Sequence, residues 1–345
     1  MSIFSVARLR RSVVQTPTII TITVGLLLGG YQLLTGALPM TIQLVFSGLL
    51  LLATGIPHGA LDHLVERERA LRLGESFSLP TFLVKYIATM GVYAVAWLLA
   101  PVPCLLVFLS VSAWHFGETD LQNAPNTPYW SLARLSAGGF VLAFILLTHA
   151  TETTPILVRI VQADDLALLV WRSVVEQSGV VLRGWATLTL VLTVLAYAQR
   201  PIAIDGWRMV RLLVIIGLTF YLPLLPAFML YFGGWHALSS FHLIQNYLPV
   251  TTKNATEAAW SVWQKSLPLT GVAFGVLGIC AITWYYVSPD FDPLPILFIL
   301  LSLITLPHIE VMHSVNKSQN TDYQQFETQN GTQNDFSQTS KHPVV

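Results

Sequence analysis

The stretch GIPHGALDHLVERERALR, Gly55 to Arg72, follows directly on the apolar run LVFSGLLLLAT, Leu44 to Thr54. A segment oily enough to enter a bilayer thus ends in two histidines, His58 and His63, with Asp62 between them, and then turns basic. The run itself predicts a membrane helix. Its end needs a chemical reason, because ionisable groups at membrane depth are costly and normally face a bundle interior and carry function.

The rest of the chain repeats the first half of this pattern. Of 345 residues, 54% are hydrophobic and only 10% are charged. Soluble domains carry about a quarter charged residues, so this chain cannot clothe a globule in polar side chains. Apolar stretches recur from end to end and predict an all-α, polytopic transmembrane bundle of about 8–10 helices. Candidate spans lie at about 17–37, 40–59, 80–100, 102–117, 131–150, 180–198, 208–225, 227–247, 267–287 and 293–313. Helices are the spanning form that these lengths allow, since they satisfy every backbone group within the segment. Pro223 and Pro226 predict a turn between the seventh and eighth spans. Residues 1–315 form one transmembrane domain. The tail 316–345, rich in Gln, Asn, Ser and Thr, reads as a disordered polar extension. Net charge is zero, so nothing suggests nucleic acid, and Cys104 and Cys280, each inside an apolar run, read as small packing residues.

Basic residues orient the bundle, because short cytoplasmic loops are enriched in Lys and Arg. With Arg8, Arg10 and Arg11 inside, the even-numbered turns also fall inside. They carry Arg67, Arg69 and Arg72, then Arg200, Arg208 and Arg211, then Lys253 and Lys265, and finally Lys317 and Lys341. Arg159, Arg172 and Arg183 fall outside, around one loop. The expectation is a multi-pass protein of the inner membrane with both termini in the cytoplasm.

The histidines follow the same geometry. His58 ends span two, His115 (in SAWHFGETD, Ser112 to Asp120) ends span four, His236 and His242 occupy the inner half of span eight, and His308 and His313 close span ten. All come from spans that run toward the cytoplasm, whereas His149 lies at an outer end. One histidine in a membrane helix is commonly a hydrogen-bonding packing residue. Four spans delivering imidazoles to one depth predict a metal site near the cytoplasmic side, since neutral imidazole binds Fe, Zn, Cu or Ni. Asp62, Glu118, Asp120 and Glu310 stand within a few residues of these histidines and suit an orienting role; acidic residues at wet helix ends are the plainer reading of Glu118 and Asp120. Trp114, Phe116 and Trp235 flank the candidate ligands and could line a tunnel for a long apolar molecule, although aromatics in spans are packing or belt residues by default. No zincin motif, nucleophile elbow, phosphate-binding loop or cysteine pair is present. Lys85, near the inner end of its span, can snorkel to the interface.

PHGALDH, WHFGETD, the Trp235-His236 pair and Leu306-Pro307-His308 together resemble the membrane β-carotene 15,15′-dioxygenases of bacteria and archaea, over about Gly55 to His313. The resemblance implies a polytopic membrane enzyme that cleaves β-carotene at its central double bond with O₂ to give two retinals, using Fe(2+) held by histidines. Matched motif by motif, it implies His58, His115 and His236 as ligands. The family's second span-eight histidine commonly lies one turn after the first, where this chain has Ser240. His242 is six residues on from His236, which on an ideal helix separates the two rings by about 120°. A π-bulge near Gly233-Gly234 could bring them together, so His242 is the favoured fourth ligand. His308 is the alternative, and Ser240 acting through a water would leave a three-histidine site. Asp62, one turn beyond His58, is expected to orient it.

The chemistry suits the residues. A lipid-dissolved hydrocarbon calls for an enzyme in the bilayer, O₂ calls for a redox-active metal with open positions, and a rhodopsin would be the natural acceptor of the product. Two other classes compete. A desaturase or hydroxylase would show more histidines in HxxH clusters, which are absent. A carotenoid-, retinal- or metal-binding protein without cleavage activity would be told apart by its product and iron content.

Overall fold

The computed structural model describes residues 3–122, 124–202, 204–249, 254–287 and 293–315, with side chains from residue 17 on. Among the described residues the chain is helical, without strands. The predicted tail, with Lys317, Lys341 and His342, lies outside them.

Helix α1 covers Ile3–Thr35 and α2 Met40–Leu50. α2 continues through a π-helical segment, Leu51–Gly55, into a last short turn, Ile56–Gly59. After a break come α3 (Asp62–Arg72), α4 (Leu79–Leu99), α5 (Pro101–Asp120) and α6 (Pro128–Thr148). Two short helices follow, α7 (Ala150–Ile160) and α8 (Asp165–Glu176), then α9 (Ser178–Gln199) and α10 (Gly206–Thr219). α11 (Leu224–Tyr231) runs through a second π-helical segment, Phe232–Ala237, into α12 (Leu238–Tyr247); α13 is Ala255–Val287 and α14 is Leu294–Val315.

Among the described residues, eight helices are long and apolar enough to cross a membrane: Pro17–Thr35, Met40–Arg72, Leu79–Leu99, Pro101–Asp120, Pro128–Thr148, Ser178–Gln199, Thr256–Thr283 and Leu294–Val315. They match eight of the ten expected spans. The other two are where the expectation has to be revised. α10 has 14 residues, about 21 Å at 1.5 Å per residue, which is short of a hydrocarbon core of about 30 Å. α11 to α12 has the length, but its Gly-Gly-Trp-His centre dilutes the apolar run. The turn between them falls at Phe220 to Pro223, as the prolines predicted; Pro226 sits inside the first turn of α11, where its missing N–H had no partner to lose. The stretch expected to be an outer loop holds α7 and α8, short amphipathic helices of the kind found at membrane surfaces. Asp164 caps α8 by accepting from the Ala167 N–H at 2.8 Å.

Large apolar side chains stand exposed around the bundle, among them Leu27, Leu34, Val84, Leu98, Leu99 and Leu190. A surface of this kind suits lipid and not water. The interior is packed around Trp97, Phe116, Ile215, Leu230, Tyr231 and Trp235, with a second cluster at the α3, α12, α13 and α14 ends around Leu61, Val65, Ile244 and Met312. α5 and α6 approach so closely that a Cβ on Gly117 would land on the Arg134 carbonyl oxygen and one on Gly138 on that of Ala113. Small residues at such positions let membrane helices pack backbone to backbone.

His149 shows what a non-site histidine does here. It ends α6 with Nδ1 at 2.7 Å from the Ile145 carbonyl and Nε2 at 2.6 Å from that of Leu222, tying α6 to the α10–α11 turn. His149→Ala is expected to keep any metal and to lose about 1–3 kcal/mol of stability through orphaned buried carbonyls. Thermal unfolding beside metal content checks this, and metal loss at unchanged stability would contradict it.

Candidate functional site

The two π segments build one wall of the site. Each adds a residue to a helical turn and so re-aims the side chains that follow it, a distortion common at functional positions. The first immediately precedes His58 and the second carries His236. They are packed against each other. A Cβ on Gly233 would lie 2.9 Å from the Leu50 Cβ, which explains why the second segment needs a glycine there. The Thr54 hydroxyl lies 2.8 Å from the Leu50 carbonyl and 2.9 Å from that of Gly233, so it can serve either helix. The Thr54 carbonyl takes the His58 Nδ1 at 3.2 Å.

Four imidazoles meet beyond this wall. His58 comes from the end of α2, His115 from α5, His236 from the α11–α12 segment and His308 from α14. Ring centroids are 4.6 Å apart for His115 and His236, 4.9 Å for His58 and His308, 5.2 Å for His115 and His308, and 5.9 Å for His58 and His236, all edge to face. None is more than 5% exposed. Both nitrogens of His115, both of His236 and Nε2 of His308 are buried with no hydrogen-bond partner. Each such atom costs about 1–3 kcal/mol if left so, and buried polar groups are paired in the great majority of cases. Here five such atoms lie on three adjoining rings. An imidazole held by its nitrogen at about 2.1 Å from an ion places neighbouring centroids about 5 Å apart, the spacing found here. As the side chains stand, no group of three His, Cys, Asp or Glu among the described residues is closed to coordination distance.

The fourth position differs from the favoured expectation. His242 is half-buried one turn before Asn246, whose Nδ2 lies 3.2 Å from its Nε2. The π segment ends at Ala237, so it turns His236 without reaching His242. His308 stands in the cluster instead. Ser240 is fully buried and its hydroxyl has no hydrogen-bond partner.

The acidic residues are also reassigned. Asp62 does not touch His58; both its oxygens accept from His308 Nδ1, at 2.9 and 3.0 Å, and Oδ2 accepts from the Tyr86 hydroxyl at 3.0 Å. Asp120 holds no histidine. It accepts from Trp235 Nε1 at 2.7 Å and from the Tyr231 hydroxyl at 2.8 Å, and so anchors the second π segment from α5. Arg208 covers Trp235 at 4.6 Å and donates to the Thr119 carbonyl at 2.8 Å. Glu118 accepts from His313 at 2.9 Å, and Glu310 pairs with Lys85 at 3.2 Å on the exposed surface. Of the three flanking aromatics, Phe116 packs on His236 at 4.6 Å, Trp235 is taken up by Asp120 and Arg208, and Trp114 lies by His313 at 6.3 Å. A separate tight groove runs between α4, α5 and α14, lined by Tyr93, Val107, Phe108, Val111, Ser302, Thr305 and Leu306. Thr54 and Tyr86 escaped the sequence reading, Arg208 entered it only as a loop charge and Tyr231 only as a packing aromatic. Only Thr54, one turn ahead of His58, had a spacing signal.

Fold and site together define a multi-pass helical membrane protein with a buried four-histidine centre. The sequence profile of one family, described as beta-carotene 15,15′-dioxygenase, matches residues 49–316. The chain belongs to the beta-carotene 15,15′-dioxygenase family, and by that membership it is an enzyme. It is 29% identical over 100 residues to the "Beta-carotene 15,15′-dioxygenase" of an uncultured marine bacterium, an alignment covering 29% of this chain and 36% of that protein. It is 23% identical over 295 residues to the "Probable beta-carotene 15,15′-dioxygenase Blh" of Halobacterium salinarum, covering 77% of this chain and 82% of that protein. No solved structure matches.

Proposed function

We propose that this chain is an iron-dependent membrane oxygenase that cleaves β-carotene at its central 15,15′ double bond with O₂, giving two molecules of retinal. Family membership supports the substrate. The observation that carries the iron is the set of five partnerless imidazole nitrogens shared by His115, His236 and His308. Those three with His58 would hold Fe(2+), since all-neutral nitrogen donors suit that ion and leave it positions to spare. Bound iron would supply the redox chemistry that brings O₂ into reaction with a carbon–carbon double bond.

The protein's own residues have definite parts. The Thr54 carbonyl fixes the His58 tautomer by accepting from Nδ1, so that Nε2 is the donor. Phe116 and Phe232 close against His236 at 4.6 and 6.0 Å and keep water from that side. The groove between α4, α5 and α14 ends one turn before His115 and His308, and its apolar lining suits a polyene arriving from the bilayer. It is too tight to hold even a water molecule, so the helices must part to admit the polyene. We place the protein in the inner membrane with cytoplasmic termini, a polar tail beyond residue 315, and a rhodopsin as the product's acceptor.

Cells that make β-carotene should lose their orange colour and accumulate retinal when they express this protein with iron in supply. Extraction and chromatography check the outcome. Untouched β-carotene beside well-expressed protein would sink the enzymatic reading, while longer or shorter apocarotenals in place of retinal would sink only central cleavage.

A further inference from the structure

We propose that Asp62 and Tyr86 are positioning residues for His308, a brace that turns Nε2 of that histidine toward the other three rings. The proposal rests on the metal reading above and adds to it the reason a histidine from α14 can serve in a chain whose α12 carries Ser240.

The three residues lie far apart in sequence, at the start of α3, on α4 and on α14. They form one line, buried at Asp62 and His308 and half-buried at Tyr86: Tyr86 Oη donates to Asp62 Oδ2 at 3.0 Å, and the Asp62 carboxylate accepts from His308 Nδ1 at 2.9 Å. A carboxylate can only accept, so Nδ1 carries the hydrogen and the lone pair is on Nε2. That Nε2 is a buried, partnerless atom on the side of the cluster. The other histidines are held differently. His58 leans on a backbone carbonyl, and neither nitrogen of His115 or His236 has a partner outside the centre. His308 is therefore the member of the four whose ring is set by a side chain.

A plainer role for Asp62 would be helix capping, since it opens α3. The structure speaks against it: Leu61 holds the N-cap position, and the Asp62 oxygens accept from His308 and Tyr86. The Tyr86 hydroxyl also has the Ile304 carbonyl at 3.4 Å, and its one hydrogen goes to the nearer carboxylate. Carboxylates behind metal-bound imidazoles fix ring orientation and typically matter by about 10–100-fold in affinity.

The test measures Co²⁺ affinity, by chelator competition, and the visible ligand-field spectrum of the purified full-length protein. Asp62→Ala should weaken Co²⁺ binding about 10–100-fold and shift the spectrum. Tyr86→Phe should weaken it about fivefold, the size of one hydrogen bond. Because both act through His308, neither should weaken binding further in a His308→Ala background. Wild-type affinity and spectrum in Asp62→Ala would overturn the proposal, as would an undiminished effect of Asp62→Ala on top of His308→Ala. If Asp62→Ala does not fold, Tyr86→Phe, which keeps the ring and its packing, is put through the same cycle with the same two overturning results. Wild-type protein that binds no Co²⁺ would overturn the metal reading itself, a different failure from normal binding that ignores Asp62 and Tyr86.

Discussion

His308→Ala should weaken metal binding far enough that the purified protein carries no iron, while added Co²⁺ still binds the three remaining rings measurably, and should lower retinal formation by on the order of 10³-fold or more, the scale on which single essential members of a catalytic unit act. His58→Ala, His115→Ala and His236→Ala should do the same, whereas His242→Ala should keep its iron and most of its activity. The contrast follows from position. His308 lies 4.9 Å from His58 and 5.2 Å from His115, centroid to centroid, and is 5% exposed. His242 lies on the motif-bearing helix, half-buried and 3.2 Å from the Asn246 amide. Iron per protein and retinal per minute on these five variants form the measurement. Iron kept in His308→Ala and lost in His242→Ala would reverse the assignment. A second construction sharpens it: Ser240→His placed in the His308→Ala background should recover iron, if a histidine one turn after His236 can do from α12 what His308 does from α14.

How much of this was readable beforehand depends on whether the cause was local. The eight long helices were legible because a bilayer demands a continuous apolar run, and a run is a local property. The helix pair around Pro223 was half legible. Its turn was marked by proline, but the length of α10 depends on where packing stops it and not on any residue within it. His58, His115 and His236 could be picked out because each ends or interrupts an apolar run. The choice between His242 and His308 could not be made along one helix, since it turns on which side of α12 faces α14. Asp62 misled for the same reason. Its spacing to His58 was one turn, yet its partner is His308, 246 positions away. Arg208 was counted as a loop charge, and it is instead laid over Trp235 behind the second π segment. Asp120 was placed beside His115 by sequence, while its hydrogen bonds run to Tyr231 and Trp235 across the bundle. The second π segment was marked by the Gly233-Gly234 pair, whereas the first has no residue pattern of its own. Both exist because Gly233 lets the two walls touch and Thr54 gathers the carbonyls that the wider turns expose.

The same dependence on close approach makes Gly117 the position where the smallest change should do the most harm. Gly117→Ala adds one methyl group. That methyl would fall on the Arg134 carbonyl oxygen, a backbone atom that no side-chain rotation can move. α5 and α6 must then part by on the order of 1 Å, and His115, two residues earlier on the same turn, must move with α5. Overpacking of this kind costs about 1–3 kcal/mol of stability. The displacement of one metal-binding ring by that amount costs about 10²-fold in rate, since catalytic geometry is steep on the ångström scale. Helical glycines without neighbours provide the control. A Cβ on Gly271 or Gly275 of α13 would meet nothing within 4 Å, so Gly271→Ala and Gly275→Ala should leave turnover alone and, through helix propensity, add up to about 1 kcal/mol of stability. Thermal unfolding and turnover per bound iron would be measured on all three proteins. Gly117→Ala behaving like its two controls would mean that the α5–α6 contact does not set the place of His115, and the account of how this centre is assembled would have to start from another helix pair.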